Sequence, residues 1–260
     1  MEWQNRCVAF IIARTSMWES ARRKLERLRR LDQTCQVFGA DKHEYELPPP
    51  VPAARIDTLE ERIGGDLPQS VRRFYTEMGN GGAGPHFGLL PVEQVAGHRP
   101  DEPYPGIDVI KRAAEAEGTP VDEAGYFEAP NDSIRGLLRV CWRGCGHQTC
   151  VVVRGEARGT IVEVSAAGYV EETGQGFRGY YEHWLDRHLD ALQRTKALIE
   201  DGYSIHEIDE IVTEELSRPD GKDLVVSLIG AEKPDSLFGG SNTMIFDSAT
   251  QNPWYEEQLA

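Results

Sequence analysis

Residues 137–164 read LLRVCWRGCGHQTCVVVRGEARGTIVEV. Three short runs, LLRVCW, TCVVVR and TIVEV, are apolar and rich in β-branched residues, and GCG and GEARG separate them. Strand-length runs broken by glycine turns predict a β-meander. TCVVVR is apolar at successive positions, so both of its faces need cover, which predicts a central strand. Downstream, GFRGYYEHWLDRHLDALQ places Tyr181, Trp184, Leu185, His188, Leu189 and Leu192 on one helical face.

Upstream of the meander the pattern is helical. In SMWESARRKLERLRRLDQT, Trp18, Ala21, Leu25 and Leu28 recur at helical spacing with basic residues between them. FGADKHEYELPPPVP reads as a connector stiffened by three prolines. ARIDTLEERIGG is a short helix stopped by Gly64 and Gly65, and PQSVRRFYTEM a second one, with Val71, Phe74, Tyr75 and Met78 on one face. Residues 97–132 are rich in Pro, Gly and acids and predict a long surface excursion with a helix near IDVIKRAAEAEG. From Thr195 a further helical region is expected, with Ser204 and Glu207 spaced as a capping box. Ile205, Ile208, Ile211 and Val212 would form its buried stripe.

Residues 77–91, EMGNGGAGPHFGLLP, contain G-x-G-x-x-G at Gly79, Gly81 and Gly84. A nucleotide-binding loop must leave a strand and open a helix, so that helix N–H groups point at phosphate. Here a helix precedes the glycines, and a helix C-terminus repels phosphate. Pro85 and His86 stand where a P-loop needs Lys and Ser or Thr. The expectation is a structural turn formed by Gly79, Asn80, Gly81, Gly82, Gly84 and Pro85. Gly79 suits a helix C′ position, and positive φ is expected at one or more of Gly81, Gly82 and Gly84. FGLL would be a strand that Pro85 starts at a sheet edge.

The chain has 260 residues, is 40% hydrophobic and 27% charged, and carries a formal net charge of −15. That balance opposes general affinity for nucleic acid and suits a basic protein partner. Residues 1–40 hold eight bases and four acids, whereas residues 101–132 hold nine acids and two bases, and residues 200–220 eight acids and one base. No apolar run approaches a membrane span, and five cysteines without scaffold spacing read as reduced thiols. The chain is expected to be cytoplasmic.

No catalytic or metal pattern emerges. Cys141, Cys145, His147 and Cys150 fall within ten residues, but Cys141 and Cys150 sit inside apolar runs, and a second ligand loop is missing. Cys145 beside His147 is a weak dyad. His183 and His188 are five apart, not the four of a zinc helix. His188 on an apolar face predicts a hydrogen-bonded core residue. No catalytic residue, metal ligand or cofactor is expected.

The order of motifs carries a resemblance. FGADKHEYELP at 38–48 is followed by LEERIGGDLPQSVRRFYTEMGNGGAGPHFGLLP, then by WRGCGHQTCVVVRGEARGTIVEV, then by Phe177, Tyr180, Tyr181, Glu182, Trp184, Leu185 and Leu189. Over residues 18–192 this resembles the SUKH superfamily, which includes a fungal regulator of cell-wall synthesis. The glycine block and the GCG hairpin are its most specific parts. The resemblance implies a single α+β domain at 37–192, flanked by a basic N-terminal helix at 1–36 and a mostly helical extension at 193–260.

The resemblance also implies a function. Bacterial members are commonly non-enzymatic immunity proteins without a cofactor that neutralise a toxin, often a nuclease or nucleic-acid deaminase. The expected partner is therefore a basic cognate toxin, with no direct nucleic acid and no membrane. The alternative is an intracellular interaction scaffold with no toxin partner. Candidate partner-binding residues are Asp101, Glu102, Asp108, Glu115, Glu117, Asp122 and Glu123, with a second face at Glu171 and Glu172. The oligomeric state is not legible.

Overall fold

The computed structural model describes residues 16–35, 37–121, 127–130, 133–204, 206–208 and 211. The fold is α+β, a five-stranded antiparallel sheet packed with helices. The strands are β1 (Ala96–His98), β2 (Leu137–Gly144), β3 (His147–Val152), β4 (Thr160–Val164) and β5 (Val170–Gly176), in the spatial order β1-β2-β3-β4-β5. The helices are α1 (Glu19–Leu31), α2 (Ala40–His43), α3 (Ala53–Arg62), α4 (Gln69–Arg73), α5 (Ile107–Ala116) and α6 (Phe177–Glu200). β3 is the central strand, as its two-sided apolar pattern predicted.

Alternation along β3 and β4 sorts side chains onto two faces. Val151, Val153 and Ile161 join one core, and Cys150, Val152, Val162 and Val164 the other. α1, α3, α4 and α6 contribute to the first core. Its centre is an aromatic cluster in which the Trp18 ring lies 5.2 Å from Phe74 and 5.7 Å from Tyr181, edge to face. α1 thus shares one core with the sheet and α6. Lys24 also pairs with Asp186, and Arg22 donates to the Glu77 and Met78 carbonyls.

Several sequence expectations change. The region 97–132 is not only a surface excursion: Tyr104, Ile110 and Ala114 are buried and form a second layer over the other face of the sheet. The sheet's two-sided apolar strands require that layer. FGLL is not a strand. Leu89 makes isolated bridges to Gly82 and Cys141, and Pro85 lies inside the turn, not at a strand start. The connector contains the helical turn α2. α6 runs unbroken through Thr195, whose hydroxyl donates to the Ala191 carbonyl and so stays satisfied inside the helix.

The helix before the glycines closes as a π turn at Phe74–Met78, with the Gly79 N–H donating to the Phe74 carbonyl. Gly79 is extended, not left-handed, and glycine is needed there because a Cβ would sit 2.8 Å from the Pro48 carbonyl oxygen. The Ser204–Glu207 capping box is present, with Ser204 N donating to Glu207 Oε2 at 2.8 Å. Ile208 is buried and Ile211 is half-buried, whereas Ile205, Val212 and LVVSLIG at 224–230 lie outside the described residues.

Candidate functional site

The glycine loop and the GCG hairpin, 60 residues apart in sequence, meet. A β-bulge between Arg139 and Cys141 turns both Val140 and Cys141 toward the helical face. The Val140 carbonyl accepts from Leu90 N at 2.9 Å, and the Cys141 thiol donates to the Pro85 carbonyl at 3.0 Å. Gly81 and Gly82 have φ of 75° and 86°, which allows the reversal that the glycines predicted, while Gly84 is not left-handed. His86 is left-handed at φ 55° and Cys145 at φ 49°, strained positions for residues with side chains.

That backbone presents two aromatic rings. Phe38 is 48% exposed, and its ring centroid lies 5.4 Å from that of Phe87. Gly144 makes room for Phe87: a Cβ there would stand 2.7 Å from the ring. Below this lip, His86 Nε2 lies 3.3 Å from the Tyr180 hydroxyl, which donates to Glu163 Oε1 at 2.9 Å. Glu163 is also ion-paired with Arg143. Register places Cys141, Thr149, Glu163 and Glu171 in one row across β2 to β5, facing α6.

Tyr180, Cys141 and Cys150 hold their protons at neutral pH. Burial, with Glu163 adding to it, raises the Tyr180 phenol well above the ordinary tyrosine range. Burial also raises the Cys141 thiol and pushes Cys150 up to about 12, so neither is a ready nucleophile. His43, under the loop, is lowered by burial to about 4 and stays neutral, with its Nδ1 accepting from Tyr45 N. His188 is buried with its Nδ1 2.7 Å from the Trp184 carbonyl, as its place on an apolar face predicted. Cys141 and Cys150 face opposite cores, so they cannot join Cys145 and His147 around one ion. Among the described residues no group of three metal-ligating side chains converges.

The acidic residues separate into distinct roles. Asp108, Glu115 and Glu117 are exposed on or just after α5. Asp101 is exposed on the loop before α5, while Glu102 forms ion pairs with Arg99 and Arg135. Glu171 and Glu172 do not share a face, because consecutive strand residues point to opposite sides. Glu171 lies opposite Glu163 on the α6 side, and Glu172 opposite Val162 on the α5 side. There Glu172 Oε1 accepts from Ile107 N at 2.9 Å and satisfies the first turn of α5. Asp122 and Glu123 lie outside the described residues.

Sequence reasoning missed Phe38, Phe87, Arg143, Glu163 and Tyr180. Phe38 had a signal, since it precedes a glycine outside any apolar period, whereas Phe87 falls within the run FGLL that predicts a strand. The Arg143–Glu163 pair had none, because only strand register brings β2 and β4 side chains together. No family model, curated protein or solved structure matches the chain.

Proposed function

We propose that this chain is a non-enzymatic, antitoxin-like immunity protein of SUKH type that binds and neutralises a basic toxin acting on nucleic acid. One observation carries the reading. Asp101, Asp108, Glu115, Glu117 and Glu171 are exposed and make no ion pair with another described residue. They therefore present unneutralised charge on a chain of net charge −15. Nucleases and deaminases need basic substrate grooves, which such carboxylates complement. Tyr180, Cys141 and His43 support binding over proton-transfer chemistry, since each is fixed in one protonation state near pH 7.

The exposed Phe38 ring, packed on the half-buried Phe87, favours a second reading, a scaffold that binds a cellular partner through an aromatic anchor. Affinity capture from native cells at low and moderate salt, followed by expression of the captured protein alone, separates the two. A single basic partner that kills cells alone and is neutralised by co-expression is the expected result. Capture of a complex with no toxic member would replace immunity with the scaffold. With the partner in hand, D108K/E115K/E117K should slow association about tenfold at low salt and leave dissociation nearly unchanged. An unchanged association rate would reject the acidic surface as the docking face.

A further inference from the structure

Arg139 on β2 is an exception among the half-buried arginines. Arg72, Arg73, Arg143 and Arg178 each pair with a carboxylate, and Arg154 donates to backbone carbonyls. Arg139 has neither kind of partner among the described residues, and its Nε is buried without an acceptor. A donor shielded from water and left unpaired is costly, more so on a charged group. Carboxylates are not scarce in a chain with 43 acidic and 28 basic residues, yet the fold brings none to this guanidinium.

The surroundings of Arg139 form a shallow cup on the α5 side of the sheet. Its cross-strand neighbours are Ala96 on β1 and Cys150 on β3, both small, so the guanidinium has room on either side. Larger side chains rim it. The guanidinium carbon lies 5.6 Å from the centre of the Trp142 ring, a cation–π stack that holds its plane. Gln148, opposite Trp142 and two residues from Cys150, is the diagonal neighbour of Arg139. His98 on β1 and Gln148 on β3 meet at 3.0 Å, and because β2 runs between those strands their hydrogen bond spans it. Gln148 Oε1 can only accept, so the imidazole donates, and the Gln148 amide N–H groups are left without an acceptor among the described residues. A guanidinium fork and an amide, donors only, thus converge on one spot.

We propose that Arg139, Trp142, Gln148 and His98 form a binding site for a small organic carboxylate. The guanidinium takes both carboxylate oxygens, the Gln148 amide donates to one of them, and His98 holds that amide in place. The apolar part of the ligand lies against the half-buried Trp142. A planar carboxylate matches the fork, and its single charge suits a molecule of net charge −15 better than a phosphate dianion does. None of the four residues belongs to the acidic surface, so this site and toxin binding stand or fall separately.

The test titrates the full chain with phenylacetate and follows the Arg139 Nε–H and Trp142 indole N–H signals by NMR. Both should shift together and saturate. Phenylacetamide, with the same ring and no charge, should move neither, and inorganic phosphate should bind more weakly than phenylacetate. Arg139→Lys keeps the charge but loses the fork, and should weaken phenylacetate binding about tenfold, read from the Trp142 signal. No saturable shift, equal shifts with phenylacetamide, phosphate binding as tight as phenylacetate, or undiminished affinity in R139K would each overturn the proposal. An independent measure needs no ligand. Gln148→Glu supplies a carboxylate from within the chain, so it should raise the urea midpoint and abolish the phenylacetate shifts. A midpoint that stays or falls, or shifts that persist, would overturn it as well.

Discussion

Gly81 shows what a single position requires. Its φ is 75°, and a Cβ there would stand 2.6 Å from the Leu89 carbonyl oxygen and 2.7 Å from that of Leu90. The same φ sign at Gly118 meets nothing within 4 Å. Gly81→Ala should therefore lose about 3 kcal/mol in urea unfolding, and Gly118→Ala about 1 kcal/mol. Equal losses would show that φ alone, and not the close approach of residues 89–90, dictates glycine there. His43 sets a pH dependence. Its imidazole is lowered by burial from 6.5 to about 4, so the neutral form belongs to the folded state. The unfolded chain takes up a proton at higher pH than the folded one. This contribution to stability is complete above about pH 6.5 and is lost as pH falls toward 4, roughly 3 kcal/mol in all. H43Q should flatten the urea midpoint across that window, and an unchanged slope would assign it to other groups.

At the scale of elements, β5 is where stability and exposure of charge disagree. Glu171 lies directly across from Glu163 on β4, two like charges in one cross-strand pair, with Arg143 compensating only from the β2 side. Opposed like charges in a ladder destabilise it. E171K should raise the unfolding free energy by about 0.5 kcal/mol through a new pair with Glu163. The same variant should weaken capture of a basic partner. A stabilised variant with unaltered capture would remove Glu171 from the docking face. Glu172, one residue on, is tied to α5 instead. Neither its face nor its partner was legible in the sequence, because VEETGQG carries no apolar alternation and residues 107 and 172 meet only when the α5 layer folds over the sheet.

For the whole molecule, a net charge of −15 implies self-repulsion in the compact state. Raising ionic strength from about 10 to 150 mM shortens the screening length from about 30 to 8 Å and should raise the urea midpoint. A falling midpoint would mean that the surface ion pairs outweigh the repulsion. The sequence alone determined much of this protein. Short β-branched runs broken by glycine turns at 137–164 set the meander, and the two-sided run TCVVVR set β3 as its centre. The 3.6-residue spacing of Trp18, Tyr181, Trp184 and Leu185 set the buried faces of α1 and α6. These are local periodicities, and burial of one face follows from them without knowledge of the partner. Tertiary structure alone decided that residues 104–114 form a second layer, that Glu171 and Glu172 part to opposite faces, and that Phe38 and Phe87 join over Tyr180, Glu163 and Arg143. Each depends on strand register, on a bulge at Val140 or on contacts between residues far apart in the chain. A sequence pattern fixes which side of an element is apolar, but not which distant element comes to cover it.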